Sequence, residues 1–396
     1  MRSFCYFIIT LCFFAVVHSL WAQQNEDYKP LKLDEADEIE NQRIDGKDVM
    51  KARGDVRFSH DTLTATCDQA AFFREMQSAI LIGNVVLNDR HRTIYCEKAR
   101  YYARQKRAVC EGNVIFVDRA TTLVADSLVY FTQSEQLTAQ GQVVIYDSTE
   151  EMTMYGERGF YDAKRRYANA TGHPYMIQFD STHYKGQNIA RLSRGIYTQP
   201  PPRDSVTGKP VRFSPDEQIT ARGLFVEVYQ DSHLVYVRDS VEFLREKLRT
   251  TSGKARYHTK KEFLTLQKEP IADYALNRMV GDSMIVQFRK RAIETMYVIG
   301  NAIATSSVDT LGTMVNTLQA KQITMHVKDK HLDVMEAQGN AYNVYYLEGR
   351  EGANRISGPN MSLFFDTKGK LRNFRVDGGA EGTYFPENLK NRIEKP

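Results

Sequence analysis

The chain has 396 residues, of which 26% are charged and 42% are hydrophobic. That length is too great for one small core, and the composition argues against both a disordered chain and an integral membrane bundle. With 53 Lys and Arg residues against 49 Asp and Glu residues, the net charge of +4 is too small for a dedicated nucleic-acid binder. The 22 Tyr and 20 Phe residues favour a β-rich protein.

The first residues have the pattern of a secretory signal peptide. Met1-Arg2 precedes an apolar run from Phe4 to Val17, which is too short to span a membrane as a helix. Ala22 supplies a small residue at a cleavage site. We therefore predict a signal peptide over residues 1–22 and an exported protein; an uncleaved N-terminal membrane anchor is the alternative.

Two stretches without periodicity divide the remaining chain. Residues 23–45 are polar and acidic and predict a flexible arm. Residues 197–217 are rich in proline, including Pro200-Pro201-Pro202, and predict a linker or long loop. The regular sequence therefore falls into two predicted domains, residues 46–196 and 218–387, followed by a tail over residues 388–396.

A repeat of about 29 residues organises the first domain. Its glycines are spaced 29, 29, 29 and 31 residues apart, at Gly54, Gly83, Gly112, Gly141 and Gly172. An acid stands midway in each interval, at Asp68, Glu97, Asp126 and Glu157. Half-repeats of equal length predict two long antiparallel strands per repeat, with a turn between each pair.

Alternation along these strands predicts which face is buried. Counted from each glycine, the second and fourth residues are apolar, as in Val56 and Phe58, whereas the odd positions admit Arg57. The even positions are therefore predicted to face inward.

The predicted strands are unusually long. A strand of about 12 residues would span ~40 Å, roughly twice the usual length. We therefore predict that each strand bends at its glycine, opposite an acid of the neighbouring strand, and that two-residue turns centred on Arg104-Gln105 and Gln133-Ser134 set this register. The result is a V-shaped, lengthwise-folded antiparallel β-sheet around a hydrophobic trough.

The second domain repeats more loosely, with a period of 39 residues. Its glycines are each preceded by a polar residue 18 positions earlier; the pairs are Asp282 with Gly300, Lys321 with Gly339, and Asn360 with Gly378. Longer turns can absorb the additional residues, so we predict a second copy of the same architecture.

The recurring Gly-Asn-Val motif, the segment from Ala125 to Tyr130 (Ala-Asp-Ser-Leu-Val-Tyr) and the export signal together resemble the OstA/LptA family of periplasmic lipopolysaccharide-transport proteins. The same fold occurs in LptC and in the periplasmic domain of LptD. The resemblance is strong over residues 46–190 and weaker over residues 218–387. It implies an all-β jelly roll, or β-taco, that binds the acyl chains of lipopolysaccharide in its trough. Units of this family stack end to end into a bridge from the inner to the outer membrane.

The resemblance and the face assignment together predict a non-catalytic periplasmic carrier for lipopolysaccharide or a related amphiphile, without a cofactor or metal. Inward side chains are predicted to contact lipid: Phe58, Leu87, Tyr101, Phe116, Tyr130 and Ile145. Basic residues on the hairpin turns of one rim are predicted to contact phosphorylated headgroups, unless they are ordinary solvated turn residues: Arg74, Arg104, Lys106, Arg107, Lys164, Arg165 and Arg166. Unpaired strands at the two ends predict stacking with other OstA-like proteins or with further copies. The small net charge predicts no nucleic-acid partner.

Two other classes of protein compete with the carrier. A structural β-solenoid scaffold would have the same repeats but a filled core, whereas a carrier would leave an apolar cavity open at an edge. An enzyme is disfavoured because the sequence contains no evident paired carboxylates, Ser/His/Asp set or metal-ligand spacing outside the periodic pattern. The interior therefore distinguishes the first two classes.

Three cysteines follow the signal peptide, Cys67, Cys96 and Cys110, all at inward positions. Cys96 and Cys110 lie on adjacent predicted strands but three residues out of register, about 10 Å apart. A disulfide needs a much closer approach, so we predict that the chain has no intrachain disulfide.

Overall fold

The computed structural model describes residues 29–44, 46–178, 218–289, 292–308, 314–347 and 352–392. Within these ranges the chain is almost entirely β-strand, with short 3-10 turns at Ala103–Gln105 and Glu387–Arg392. Pairing joins the 26 strands into one sheet. The prediction of an all-β antiparallel fold is confirmed. The predicted signal peptide and proline-rich linker lie outside the described residues.

Long strands in the first half follow the 29-residue repeat, two to each repeat, as predicted. The strands of this half are β1 Lys32–Glu35, β2 Glu38–Ile44, β3 Lys47–His60, β4 Leu63–Phe73, β5 Ser78–Asp89, β6 Arg92–Tyr102, β7 Arg107–Asp118, β8 Thr121–Phe131, β9 Gln136–Asp147, β10 Met152–Asp162, β11 Tyr167–Thr171 and β12 Tyr175–Gln178.

The second half contains more short strands, because several of its long strands are interrupted at the bend. Its strands are β13 Ile219–Arg222, β14 Phe225–Tyr229, β15 Leu234–Arg245, β16 Leu248–His258, β17 Phe263–Gln267, β18 Ile271–Tyr274, β19 Asn277–Val280, β20 Ser283–Arg289, β21 Ala292–Ser307, β22 Val315–Lys328, β23 His331–Tyr346, β24 Ala353–Phe365, β25 Leu371–Asp377 and β26 Glu381–Phe385.

The sheet is continuous between the two halves. β11 pairs with β14, and β12 pairs with β13, on either side of residues 179–217. β13 and β14 then both pair with β15. The strands that flank the predicted linker therefore belong to one hydrogen-bonded ladder; the domain boundaries themselves stay predictions.

Every second long strand of the repeat, the one that carries the glycine, bends at a two-residue bulge. Gly83 and Asn84 both have left-handed backbone, with φ of +80° and +44°, and the register of β5 against β6 shifts beside them. A side chain at Gly83 would overlap the carboxylate of Asp68, so glycine alone fits there. The predicted contact between glycine and acid is confirmed here and at Gly112 with Glu97, Gly141 with Asp126 and Gly300 with Asp282.

The bulge in β15 lacks a glycine. Asp239 and Ser240 take the two left-handed positions in β15, with φ of +61° and +54°. The residue opposite them is Gly253 on β16, since Arg238 pairs with Lys254 and Val241 with Ser252. A search for repeated glycines misses this bend because the small residue has moved to the neighbouring strand.

The bend folds the sheet so that its two rims meet. One rim, here the tight rim, carries the two-residue turns Asp61-Thr62, Arg90-His91 and Arg119-Ala120. The other, the wide rim, carries the turns 74–77, 103–106, 132–135 and 163–166. Asp89 at the tight rim would be about 30 Å from Tyr130 near the wide rim in a flat sheet. Their side chains are instead hydrogen-bonded at 2.6 Å, so the predicted lengthwise fold is confirmed.

Burial confirms the predicted faces. Val56, Val85 and Val114, two residues after their glycines, are at most 1% exposed. Arg57, between two inward residues, is exposed. Inward side chains from both halves of the sheet form one hydrophobic core cluster.

Two predictions about local structure are wrong. Residues 32–35 and 38–44 of the predicted flexible arm are β1 and β2, which pair with β3 because its outer edge offers free backbone groups to a polar segment. The turns centred on Arg104-Gln105 and Gln133-Ser134 contain four residues rather than two, since Tyr102 pairs with Arg107 and Phe131 with Gln136. Two-residue turns occur on the tight rim instead.

Candidate functional site

The predicted lipid contacts lie in the interior, but side chains of the protein fill it. Phe58, Leu87, Tyr101, Phe116, Tyr130 and Ile145 are each between 0 and 3% exposed. The Phe116 ring lies 5.6 Å from the Tyr161 ring and 6.1 Å from the Tyr130 ring, measured between centroids. Lipid contact at these residues therefore stays a prediction, and it requires the two layers to separate.

Polar side chains join the two rims across the mouth of the folded sheet. The Tyr130 hydroxyl donates to Asp89 at 2.6 Å, and the Tyr161 hydroxyl donates to Asp118 at 3.1 Å. His60 Nδ1 lies 2.7 Å from the Tyr101 hydroxyl. The partners in each pair come from opposite rims, and all six side chains are at most 5% exposed.

The next member of this row has a different donor. Gln230, at the turn after β14, donates its amide to Asp147 at 2.7 Å and to Thr121 at 2.8 Å. Gln230 therefore takes the place that a tyrosine has in the earlier pairs. It comes from the first hairpin after residues 179–217, so it is 83 residues from Asp147 in sequence. We call the four pairs His60–Tyr101, Asp89–Tyr130, Asp118–Tyr161 and Asp147–Gln230 the polar zipper.

A charged cluster reinforces the middle of the zipper. Glu135 on the wide rim accepts hydrogen bonds from Arg90 and Arg92 of the tight rim, the latter at 2.6 Å. Arg92 also lies 3.4 Å from Asp118. The side chains of Arg92 and Glu135 are 7% and 10% exposed, so this ion pair is largely desolvated. Removing one partner would leave the other charge buried and uncompensated, which is strongly unfavourable.

The tyrosines of the zipper are held as hydrogen-bond donors. Burial, reinforced by the neighbouring carboxylates, raises the pKa of Tyr130 and of Tyr161 above the ordinary value of 10.0. Burial lowers the pKa of His60, so its imidazole is neutral near pH 7. Three pairs of the zipper therefore join a neutral donor to a carboxylate, the fourth joins neutral His60 to the Tyr101 hydroxyl, and two arginines clamp Glu135.

Contacts across the mouth continue into the second half. Glu150 lies 2.5 Å from His233 and accepts a hydrogen bond from Thr259 at 2.6 Å. Lys330 pairs with Glu246 at 3.2 Å, and its carbonyl accepts a hydrogen bond from the Tyr274 hydroxyl. The two rims are thus joined over most of the described length of the sheet.

The predicted headgroup residues share the wide rim, as expected from their turns, but several already have partners. Lys106 lies 3.7 Å from Asp61 across the mouth, and Arg166 lies 2.8 Å from Asp231. The Arg107 guanidinium stacks 4.7 Å above a tyrosine ring. Three of the seven are exposed turn residues without an ion pair among the described contacts, so headgroup binding stays a prediction for this set: Arg74, Arg104 and Lys164.

Sequence reasoning missed the zipper although a signal was present. His60, Asp89, Asp118 and Asp147 all stand six residues after a repeat glycine, which is an even and therefore inward position. A polar residue recurring every 29 positions on an apolar face indicates a buried partner. The face assignment rested on the first five residues after each glycine, and the polar residue is the sixth.

The three cysteines are free thiols, and all are buried. Contact with the Cys96 thiol and then burial raise the pKa of Cys110 well above its ordinary value, while burial raises the pKa of Cys67 to about 11. The predicted 10 Å separation of Cys96 and Cys110 is wrong. The strands bend between the two residues, which brings inward side chains on either side of the bend together.

Both ends of the sheet present strand edges with apolar side chains. At the N-terminal end, β2 is exposed along its whole length and carries Ile39, which is 56% exposed. At the C-terminal end, β25 carries Phe374 and β26 carries Tyr384, 43% and 56% exposed. Such edges can accept a further strand.

The described residues show no metal site and no membrane helix. No group of three or more His, Cys, Asp and Glu side chains is placed to hold a metal ion in this part of the chain. Nor does any helix within it have the length and apolar character needed to cross a membrane.

Comparison with known proteins identifies the family of the first half. The family model of the OstA-like protein matches residues 29–130 and 103–184. This part of the chain is OstA-like. The resemblance inferred from the glycine repeat and the Ala-Asp-Ser-Leu-Val-Tyr motif is therefore confirmed over the region where the repeat is most regular.

Other comparisons add little. No curated protein matches the chain. Among solved structures, the chain is similar to LptH from Pseudomonas aeruginosa, described as the LptA-homologous periplasmic component of the lipopolysaccharide transport device. The identity is 13%, the match covers 35% of this chain and 95% of LptH, and the TM-score is 0.28. A similarity this low supports no conclusion about this chain.

Proposed function

We propose that the protein is a non-catalytic periplasmic carrier that holds the acyl chains of lipopolysaccharide, or of a similar amphiphile, between the two layers of its folded sheet during transport to the outer membrane. The observation that carries this proposal is the apolar interior. It is one continuous cluster that extends through both halves of the sheet, of which the first half matches the OstA-like family. Burying a few hundred Å² of acyl chain would supply several kcal/mol at ~25 cal/mol per Å², before ordering costs.

The exposed edges support a place in a chain of similar proteins. β2 at one end and β25 with β26 at the other each pair on one side only. Stacking of OstA-like partners or of further copies on these edges would extend the apolar interior from one unit into the next. A lipid could then pass between units without exposing its acyl chains to water.

A structural scaffold is the second candidate, and one observation favours it. The six predicted lipid contacts are at most 3% exposed, so the interior has the filled core expected of a scaffold. The carrier requires this core to open and admit lipid. The scaffold requires it to stay closed.

Photo-crosslinking in cells separates the two candidates. A photoreactive amino acid replaces Phe116, at the centre of the interior, and the matched control carries it at outward Arg57. The carrier predicts lipopolysaccharide adducts from position 116 and none from position 57. Absence of adducts at 116 and at the other five inward positions would favour the scaffold.

A further inference from the structure

The mouth differs from the other boundaries of the interior in the way it is held closed. On the wide rim, backbone hydrogen bonds connect neighbouring turns: Ala103 donates to Gln77, Thr132 to Lys106 and Ala163 to Glu135. On the tight rim, Ser148 donates to Ala120. Across the mouth, by contrast, the zipper consists of side-chain contacts. Neighbouring turns of one rim are therefore joined by backbone hydrogen bonds, whereas the two rims are joined to each other by side chains.

The other boundaries cannot open without breaking the sheet. At the bend, the long strands pass covalently from one layer to the other, and the bulges lie on alternate strands. Between strands, antiparallel ladders run without a break from β1 to β26. Separating the layers at the mouth costs no backbone ladder bond, so it is the least disruptive route to the interior.

The chemistry of the zipper also suits reversible opening. A buried hydrogen bond or ion pair contributes little net free energy, because both groups give up water when it forms. On opening, the carboxylates, hydroxyls and guanidinium groups regain that water. The zipper therefore fixes the register of the two layers while contributing less to their cohesion than apolar side chains of the same size would.

We propose that the mouth is the seam through which the interior opens to its ligand, and that the polar zipper, with Glu135 clamped by Arg90 and Arg92 at its centre, sets how often it opens. This proposal rests on the proposed carrier function for the identity of the ligand. The opening itself is a property of the protein alone. It can therefore be measured without lipid.

The buried cysteines report on opening without any added probe site. Cys96 and Cys110 face the interior at the bend, opposite the mouth, and are 7% and 0% exposed. Their rate of reaction with a water-soluble maleimide in the native exported chain measures how often the interior becomes accessible. The urea midpoint of the same sample measures global unfolding separately, because only global unfolding responds steeply to urea.

Two zipper variants and two matched controls test the seam. Tyr130→Phe removes one cross-mouth hydrogen bond and keeps the ring, and Glu135→Gln removes the charge that clamps two arginines. The controls are Tyr95→Phe, at an outward position, and Glu75→Gln, in another turn of the wide rim. We expect thiol labelling to accelerate roughly fivefold in Tyr130→Phe and roughly tenfold in Glu135→Gln, with both controls unchanged.

Locking the mouth tests the same proposal in the opposite direction. Asp61→Cys with Lys106→Cys, joined by a short bis-maleimide, links the two rims where the native side chains lie 3.7 Å apart. Glu75→Cys with Arg104→Cys, joined by the same reagent, links two turns of one rim and is the control. Uptake of fluorescent lipopolysaccharide should fall at least tenfold in the first protein and be unchanged in the second.

The outcomes separate the seam from the carrier function. Faster labelling in the zipper variants supports the seam even if no variant binds lipopolysaccharide, a result that would instead refute the carrier. Unchanged labelling in both zipper variants would overturn the seam. Measurable lipopolysaccharide uptake that is equal in the locked and control proteins would also overturn it, whereas no uptake by either protein would refute the carrier alone. The seam would also be overturned if labelling accelerated equally in the zipper variants and the controls and the urea midpoint fell with it, because global unfolding would then account for the labelling.

Discussion

The bend makes a quantitative prediction at Gly141. Its φ is +79°, and a Cβ added there would lie 2.7 Å from Cγ and 2.8 Å from Cβ of Asp126. Left-handed backbone costs a residue with a side chain about 1–2 kcal/mol. Overlap in a packed site adds typically 1–3 kcal/mol, and rotating the carboxylate cannot relieve it because the Asp126 Cβ is fixed to the backbone. We therefore expect Gly141→Ala to lower the free energy of unfolding by roughly 2–5 kcal/mol.

Gly378 is a matched control because it has the same backbone without the overlap. Its φ is +80°, and an added Cβ would lie 3.5 Å from Pro359, an ordinary contact. Gly378→Ala should therefore cost only the conformational part, about 1–2 kcal/mol. Urea unfolding followed by far-UV circular dichroism measures both variants.

A third variant separates the two contributions at Gly141. Asp126→Gly removes all three overlapping atoms, Oδ2, Cγ and Cβ. Adding Gly141→Ala to that background should therefore cost about 1–2 kcal/mol more than Asp126→Gly alone. Equal losses for Gly141→Ala in the two backgrounds would refute the overlap. Equal losses for Gly141→Ala and Gly378→Ala would refute the role assigned to the acid at the bend.

Four further predictions follow from the core, the edge, the zipper and the thiols. Phe116→Asp, which buries a carboxylate among apolar side chains, should lower the free energy of unfolding by more than about 4 kcal/mol, whereas Arg57→Ala on the outer face should change it by less than about 0.5 kcal/mol; comparable thermal midpoints would contradict the face assignment. Phe374→Lys on β25 should reduce the concentration-dependent increase in mass seen by light scattering, and an unchanged increase would argue against pairing through this edge. Because burial lowers the folded-state pKa of His60 below its ordinary 6.5, the unfolded chain takes up the proton first, so stability should fall as the pH drops through 6.5; His60→Gln should remove this part of the pH dependence, and the same slope in both proteins would rule out His60 as its source. Thiol titration of the unfolded, unreduced mature chain should find three reactive groups, and a count of one would show that a disulfide had formed.

Local patterns in the sequence were sufficient to predict the long strands of the first half and their faces. Alternation assigned Phe58, Leu87 and Phe116 to the interior because side-chain direction in a strand has a period of two whatever the rest of the fold does. The repeated glycines predicted the bend for a similarly local reason. Left-handed backbone in contact with a neighbouring side chain excludes every residue with a Cβ.

The partners across the mouth could not be predicted in this way. Asp89 and Tyr130 are 41 residues apart and lie on strands that are not neighbours. They meet because of the angle at which the bends fold the sheet and the stagger of one rim against the other. Neither quantity is encoded in the spacing of glycines and acids.

The same distinction applies to function. The sequence by itself determined a 29-residue repeat with an apolar face, because composition and periodicity are properties of each strand. Only the tertiary structure decided that this face is closed, since the exposure of Phe116 depends on whether Tyr161, from the opposite rim, packs against it. Tyr101 and Tyr130 were predicted from the sequence as lipid contacts, but in the structure they have hydrogen-bond partners across the mouth. The reason is the same, because the hydroxyl of an inward side chain near a strand end is buried only when the other layer folds over it.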